Sequence, residues 1–201
     1  MDIFIKYFMP NILNALILIA FSLLSAFCVG LYATKKWGGS KLKNNLGFTG
    51  ITLAFSVLSI CFFGLSAITV RGIILCLILL FASFSDIKTR ECSDWLHVMI
   101  LIAAFIGCNF NNLPNMILSA VFVWLIIFIT VVISKSNIGG ADLKCATACA
   151  FLLGFEKGIV GLAVGMLLSV LFNAFKKEEN REEGFPLIPY LTAGYLAVYL
   201  I

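Results

Sequence analysis

Two aspartates share a short context. Asp86 stands in Phe84-Ser85-Asp86-Ile87-Lys88 and Asp142 in Gly139-Gly140-Ala141-Asp142-Leu143-Lys144. Both read Asp-x-Lys, both adjoin a long apolar run, and they lie 56 residues apart. Ionisable groups in or against a bilayer are costly and often functional. Two carboxyls in one dehydrated layer do not easily ionise together, so one keeps its proton. The ionised one can then activate water while the protonated one polarises a carbonyl. Gly139 and Gly140 lack a Cβ, so a neighbouring backbone can come close. Asp142 at a helix start also suits the positive end of the helix dipole. Plainer roles exist for each: a helix N-cap for Asp142, a solvated loop for Asp86, and snorkelling to headgroups for Lys88 and Lys144.

The rest of the chain must place such a pair. Its 201 residues are 62% hydrophobic and 12% charged, with a mean hydropathy of +1.08. Soluble domains are about 45–50% apolar and about 25% charged. A soluble domain, a disordered chain and a nucleic-acid module are therefore excluded. The apolar runs are continuous rather than alternating, which argues against an outer-membrane barrel. The fold class is all-α: a polytopic transmembrane helical bundle of about eight spans, forming one membrane domain over residues 1–201.

Punctuation sets the spans at 11–33, two within 46–85 broken near Gly64 to Gly72, then 95–110, 113–134, 143–155, 158–175 and 186–201. A polar loop is expected over Thr34 to Asn45 and another over Asp86 to Asp94. One set of loops holds eleven of the 14 cations: Lys35, Lys36, Lys41, Lys43, Lys88, Arg90, Lys135, Lys144, Lys176, Lys177 and Arg181. The opposite set holds Lys6, Arg71 and Lys157. The positive-inside rule puts the larger set, and with it Asp86 and Asp142, on the cytoplasmic side, with both termini outside. The net charge of +4 needs no acidic partner beyond anionic lipid. Gly72 to Ser85 and Leu143 to Phe155 make only about 20 Å of helix each, against a hydrocarbon core of about 30 Å. Each aspartate is thus expected below the inner surface, or in a thinned bilayer.

Other chemistry-bearing residues form no pattern. The seven cysteines include no CxxC pair and mostly lie in apolar segments, where thiols pack as small hydrophobes. Cys145 and Cys149, one turn apart, are a weak metal pair. His97 is the single histidine and reads as a polar residue at a helix start. No Gly-x-Ser-x-Gly occurs to supply a serine nucleophile. Glu91 and Asp94 share the Asp86 loop and compete with it for assignment. Lys176 to Glu183 reads as a solvated loop, and Ile12 to Ala33 is too long for a signal-peptide core.

Around the two aspartates the sequence resembles the type IV prepilin peptidases, aspartic peptidases with a GxGD-type motif. Three patches carry the resemblance in order: Asp86 to Leu96, Gly139 to Lys144, and Phe185-Pro186-Leu187-Ile188-Pro189-Tyr190. Together they cover roughly residues 47–201. Cys92-Ser93 departs from the family's usual Ile-Pro, and Ala141 replaces a frequent glycine. Members that also methylate carry a zinc-binding domain after the first helix; here Thr34 to Asn45 occupies that place and holds no cysteine.

The resemblance implies a short-form aspartic endopeptidase of the inner membrane with Asp86 and Asp142 catalytic. It implies support or substrate contact from Gly139, Gly140, Lys88 and Lys144, and no metal or organic cofactor. The substrate would be a pilin, pseudopilin or Flp-type precursor with an apolar helix, cut after its basic leader at the cytoplasmic face without N-methylation. Two other readings stand beside it. One is a presenilin-like intramembrane peptidase, against which Ser85 counts, since that group has a Tyr-Asp pair. The other is a non-catalytic scaffold or proton-coupled carrier.

Overall fold

The computed structural model describes residues 12–134, 139–174 and 186–201. Eight α-helices run through them: α1 (Ile12–Trp37), α2 (Lys41–Phe63), α3 (Ala67–Thr89), α4 (Asp94–Ala104), α5 (Leu113–Ser134), α6 (Gly140–Leu153), α7 (Phe155–Ala174) and α8 (Ile188–Tyr199). A 3-10 turn, Phe110–Asn112, leads into α5. Asn109 caps it by accepting a hydrogen bond from Asn111 N–H, and Pro114 sits in the first turn of α5, where a missing N–H costs nothing. The all-α bundle expected from the sequence is the fold observed.

Five stretches are long and apolar enough to cross a membrane: Ile12–Trp37, Lys41–Phe63, Ala67–Thr89, Phe110–Ile133 and Phe155–Asn173. The other three helices, α4, α6 and α8, have 11, 14 and 12 residues. At 1.5 Å per residue they reach only about 17 to 21 Å, short of the hydrocarbon core. Eight helices were expected and eight occur among the described residues, but five rather than eight have spanning length.

Three boundaries move. The loop expected over Thr34 to Asn45 shrinks to Gly38, Gly39 and Ser40, with both glycines at positive φ (77° and 106°). The helix expected over 95–110 stops at Ala104, and Gly107 turns the chain at φ 63°. The loop expected from Asp86 begins only after Thr89, so α3 has 23 residues and Asp86 lies in its last turn rather than beyond a short helix. The break expected near Gly64 occurs there: Gly64 has φ 63° and its carbonyl accepts from the Thr69 hydroxyl at 2.6 Å.

The contacts divide the chain into a unit ending at Phe81 and a second unit, Ala82–Tyr199. In the first, α1 and α2 pack as a hairpin stapled by hydroxyls and amides, the usual glue between helices in lipid. Ser56 donates to Ser22 at 3.1 Å and the Asn44 amide to Thr34 at 3.2 Å. Tyr32 stacks on Phe81, and Trp37 meets the same ring at a 50° tilt.

In the second unit α8 is the hub. Ile188, Leu191 and Tyr195 are fully enclosed. Its backbone meets that of α7 so closely that a Cβ on Gly194 would stand 2.6 Å from the Gly165 nitrogen, so only glycine fits. The Tyr195 hydroxyl donates to the Ala146 carbonyl of α6 at 3.1 Å, and the Ser83 and Thr192 hydroxyls join α3 to α8 at 2.7 Å. Ser119 of α5 donates to the Gly154 carbonyl at 3.0 Å. These bonds fix the helices that carry the two aspartates.

Candidate active site

Asp86 is 7% exposed. A carboxylate in the last turn of a helix faces the negative end of the dipole, an unfavourable place. The relief comes from α8. Ile188 N–H, a donor without an intrahelical partner at that helix start, gives its hydrogen to Asp86 Oδ2 at 3.1 Å. Pro189, next in line, has no N–H to offer.

Beyond Thr89, Arg90 adopts the left-handed conformation (φ 55°) that commonly ends a helix, and its N–H bonds to the Asp86 carbonyl at 3.0 Å. The Ser85 hydroxyl donates to the Glu91 carbonyl at 2.7 Å and folds the connection back on α3. Chain direction then reverses into α4, whose N-cap is Ser93.

Asp142 is the third residue of α6, after the N-cap Gly139. Its carboxylate reaches back to Gly139 N–H, one half of a capping box. A Cβ on Gly139 would lie 3.1 Å from Asp142 Oδ2, whereas a Cβ on Gly140 would meet nothing within 4 Å. Burial, then the nearby Asp86 charge, push Asp142 up to about 6, against the opposing bond from Gly139. The structure thus brings Asp86 and Asp142 into one electrostatic neighbourhood.

Cys92, from the connection after α3, shares it. Burial first, then Cys145, Asp86, Asp142 and Asp94, push its thiol up to about 12, so it stays neutral.

The two lysines lie elsewhere. Lys88 is exposed, its ammonium 5.8 Å from the Phe84 ring. Lys144 bonds Asp94 Oδ1 at 2.7 Å rather than Asp142, and holds the Asp94 carboxyl below the usual range. Asp94 therefore does not compete with Asp86 for the neighbourhood; it closes an ion pair between α4 and α6. Two participants escaped the sequence reading. Ile188 acts through its backbone, which no residue type announces. Cys92 looked only like a departure from a motif. Among the described residues, no three His, Cys, Asp or Glu side chains gather as metal ligands.

Residues 73–174, half of the chain and both aspartates, match the type IV leader peptidase family. The chain belongs to that family. This type IV leader peptidase relative is accordingly a protease built on a multi-pass helical membrane fold. No curated protein and no solved structure matches it. The match ends before α8, so the Ile188–Asp86 bond joins the matched region to a helix outside it.

Proposed function

We propose that this peptidase is an aspartic endopeptidase that removes the basic leader from prepilin-like precursors at the cytoplasmic face of the inner membrane. Asp86 and Asp142 are its catalytic pair. The observation that carries the reading is their shared neighbourhood, in which Asp142 holds its proton up to about 6 while Asp86 takes a backbone N–H at a helix start. Burial opposes charge on both carboxyls; the bond from Ile188 N–H offsets it in part at Asp86, while the like charge of Asp86 adds to it at Asp142.

In the reaction, ionised Asp86 takes a proton from water as the water oxygen bonds to the scissile carbonyl carbon. Protonated Asp142 gives its proton to the carbonyl oxygen. The tetrahedral intermediate then collapses: the C–N bond breaks and the proton on Asp86 passes to the leaving amine. The new carboxyl gives a proton back to Asp142, which restores the pair.

The substrate is a pilin-like protein whose apolar helix lies among the spans and whose leader meets the cytoplasmic cations; the eleven-to-three bias of Lys and Arg supports this side. Open space around Gly140 leaves room for a substrate strand. The connection between α1 and α2, only three residues long, supports release of the product N-terminus unmethylated.

The test is cleavage of a pilin-like precursor in liposomes, read by mass spectrometry of the mature N-terminus. Wild type should release the leader, and Asp86→Asn and Asp142→Asn should not. Folded wild type that leaves several such precursors intact, or equal activity of either variant, would reject the reading.

A further inference from the structure

The first part of the chain lacks counter-charge. From Ile3 to Ser85 the sequence holds six Lys and Arg residues and not one Asp or Glu. Four of the six gather at one turn. Lys35 and Lys36 stand in the last turn of α1, and Lys41 and Lys43 are the first and third residues of α2. All four are exposed, and among the described residues none of them makes an ion pair. Lys36 lies against a ring instead, its ammonium 4.6 Å from the centre of Trp37. The helices do not explain the second pair. A helix start carries partial positive charge and favours Asp or Glu. The first turn of α2 has no acidic residue, so Lys41 and Lys43 sit there at a cost to the helix.

The surroundings say what kind of anion such a cluster meets. Tyr32 and Trp37 are amphipathic rings of the sort that gather at headgroup level in a membrane. Both rest against Phe81, which fixes where they sit, and Tyr32 stays 56% exposed. Leu42, between the two lysines of α2, and Leu46, one turn further on, are 71% and 62% exposed. An acidic soluble partner would pair with the ammonium groups and leave these leucines in water. The layer where phosphates lie above acyl chains suits both, because lysines reach up to it and leucines reach down.

We infer that the α1–α2 turn binds the headgroup of an anionic phospholipid, its phosphate held by Lys35 and Lys36 from one helix and by Lys41 and Lys43 from the other. The net negative charge of such a lipid supplies what the sequence omits. A zwitterionic headgroup brings its own cation into the cluster and gains less. The acyl chains meet Leu42 and Leu46. The inference is independent of the peptidase mechanism.

Trp37 reports on the turn itself. The full chain with Trp95→Phe and Trp124→Phe keeps it as the single tryptophan, and lipids with brominated acyl chains quench it on contact. In vesicles that mix phosphatidylglycerol and phosphatidylcholine, the quenching should show about a tenfold preference for phosphatidylglycerol. Lys41→Gln with Lys43→Gln should lower that preference about threefold, and Gln at all four lysines should erase it at unchanged helical content. Arg at all four should keep it, which separates charge from packing. Should the two Phe changes prevent folding, native mass spectrometry of the unaltered chain and its four-Gln variant reads the same preference as retained lipid. Equal quenching by the two lipids overturns the inference, as does a preference that survives the four-Gln change. Loss of the preference on adding inorganic phosphate at constant ionic strength overturns it in favour of a free-phosphate site. A preference that emerges only with Glu178→Gln, Glu179→Gln, Glu182→Gln and Glu183→Gln overturns it in favour of that acidic segment as the counter-charge.

Discussion

The last turn of α3 and the first turn of α6 each hold one aspartate, and the two are stabilised in opposite ways. Asp86 sits where its own helix dipole repels it and is held by the start of another helix, through Ile188. Asp142 sits where its own helix favours it, is capped by its own Gly139, and is unsettled by burial and by Asp86. Asp86 depends on tertiary structure, while Asp142 depends on local structure. Two like residues thus stand in unlike surroundings, which is what the proposed division into base and acid rests on.

The hardest way to break the comparison is to remove either carboxyl's proton chemistry. Asp86→Asn and Asp142→Asn should each lower leader cleavage by about 10³-fold or more, measured as initial rates on a precursor. A variant with both changes should be no worse than either alone, because the two act as a unit.

The pH profile sharpens it next. A raised value means that Asp142 keeps its proton up to about pH 6. Its role as acid makes kcat/KM fall about tenfold per pH unit above that value. A profile flat from pH 5 to 8 would remove Asp142 from the acid role.

Stability should separate the two residues in sign. Asp86→Leu strands Ile188 N–H in a buried site and should cost about 1–3 kcal/mol in denaturant unfolding. Asp142 behaves oppositely: its value rises from 3.8 to about 6 on folding, so its contribution is most favourable below pH 3.8 and is lost as pH climbs through 6. Asp142→Asn should therefore gain up to about 3 kcal/mol at pH 8 and nothing at pH 3.5.

Glycine changes probe the local side. Gly139→Ala should crowd Asp142 Oδ2 and lower kcat about tenfold, the cost of a small misplacement at a reacting group. Gly140→Ala meets no protein atom, so it should keep wild-type stability and raise KM alone. Smallest of all, Asp94→Asn opens an exposed ion pair and should change unfolding free energy by less than about 1 kcal/mol.

Much of this was readable in the residues. Helix number, the break at Gly64 and the glycines before Asp142 followed from hydropathy and punctuation, which report on burial and backbone freedom. The extent of α3 did not. Lys88 and Arg90 look like loop residues, but a lysine can stay helical with its ammonium outside, and the helix stops only where Arg90 turns left-handed. The same holds for Lys41 and Lys43, which begin α2 rather than a loop. The partner of Lys144 could not be read either, because Asp94 and Asp142 offer it the same carboxylate and only packing chooses. The dependence of Asp86 on a backbone donor in α8 has no residue signature at all.

The Ile188–Asp86 bond also sets a clock. Its partners are 102 residues apart, so the carboxylate is not held in position until the ribosome has passed residue 188 and α8 has docked. A half-made chain carries both aspartates but not the donor that aligns the first.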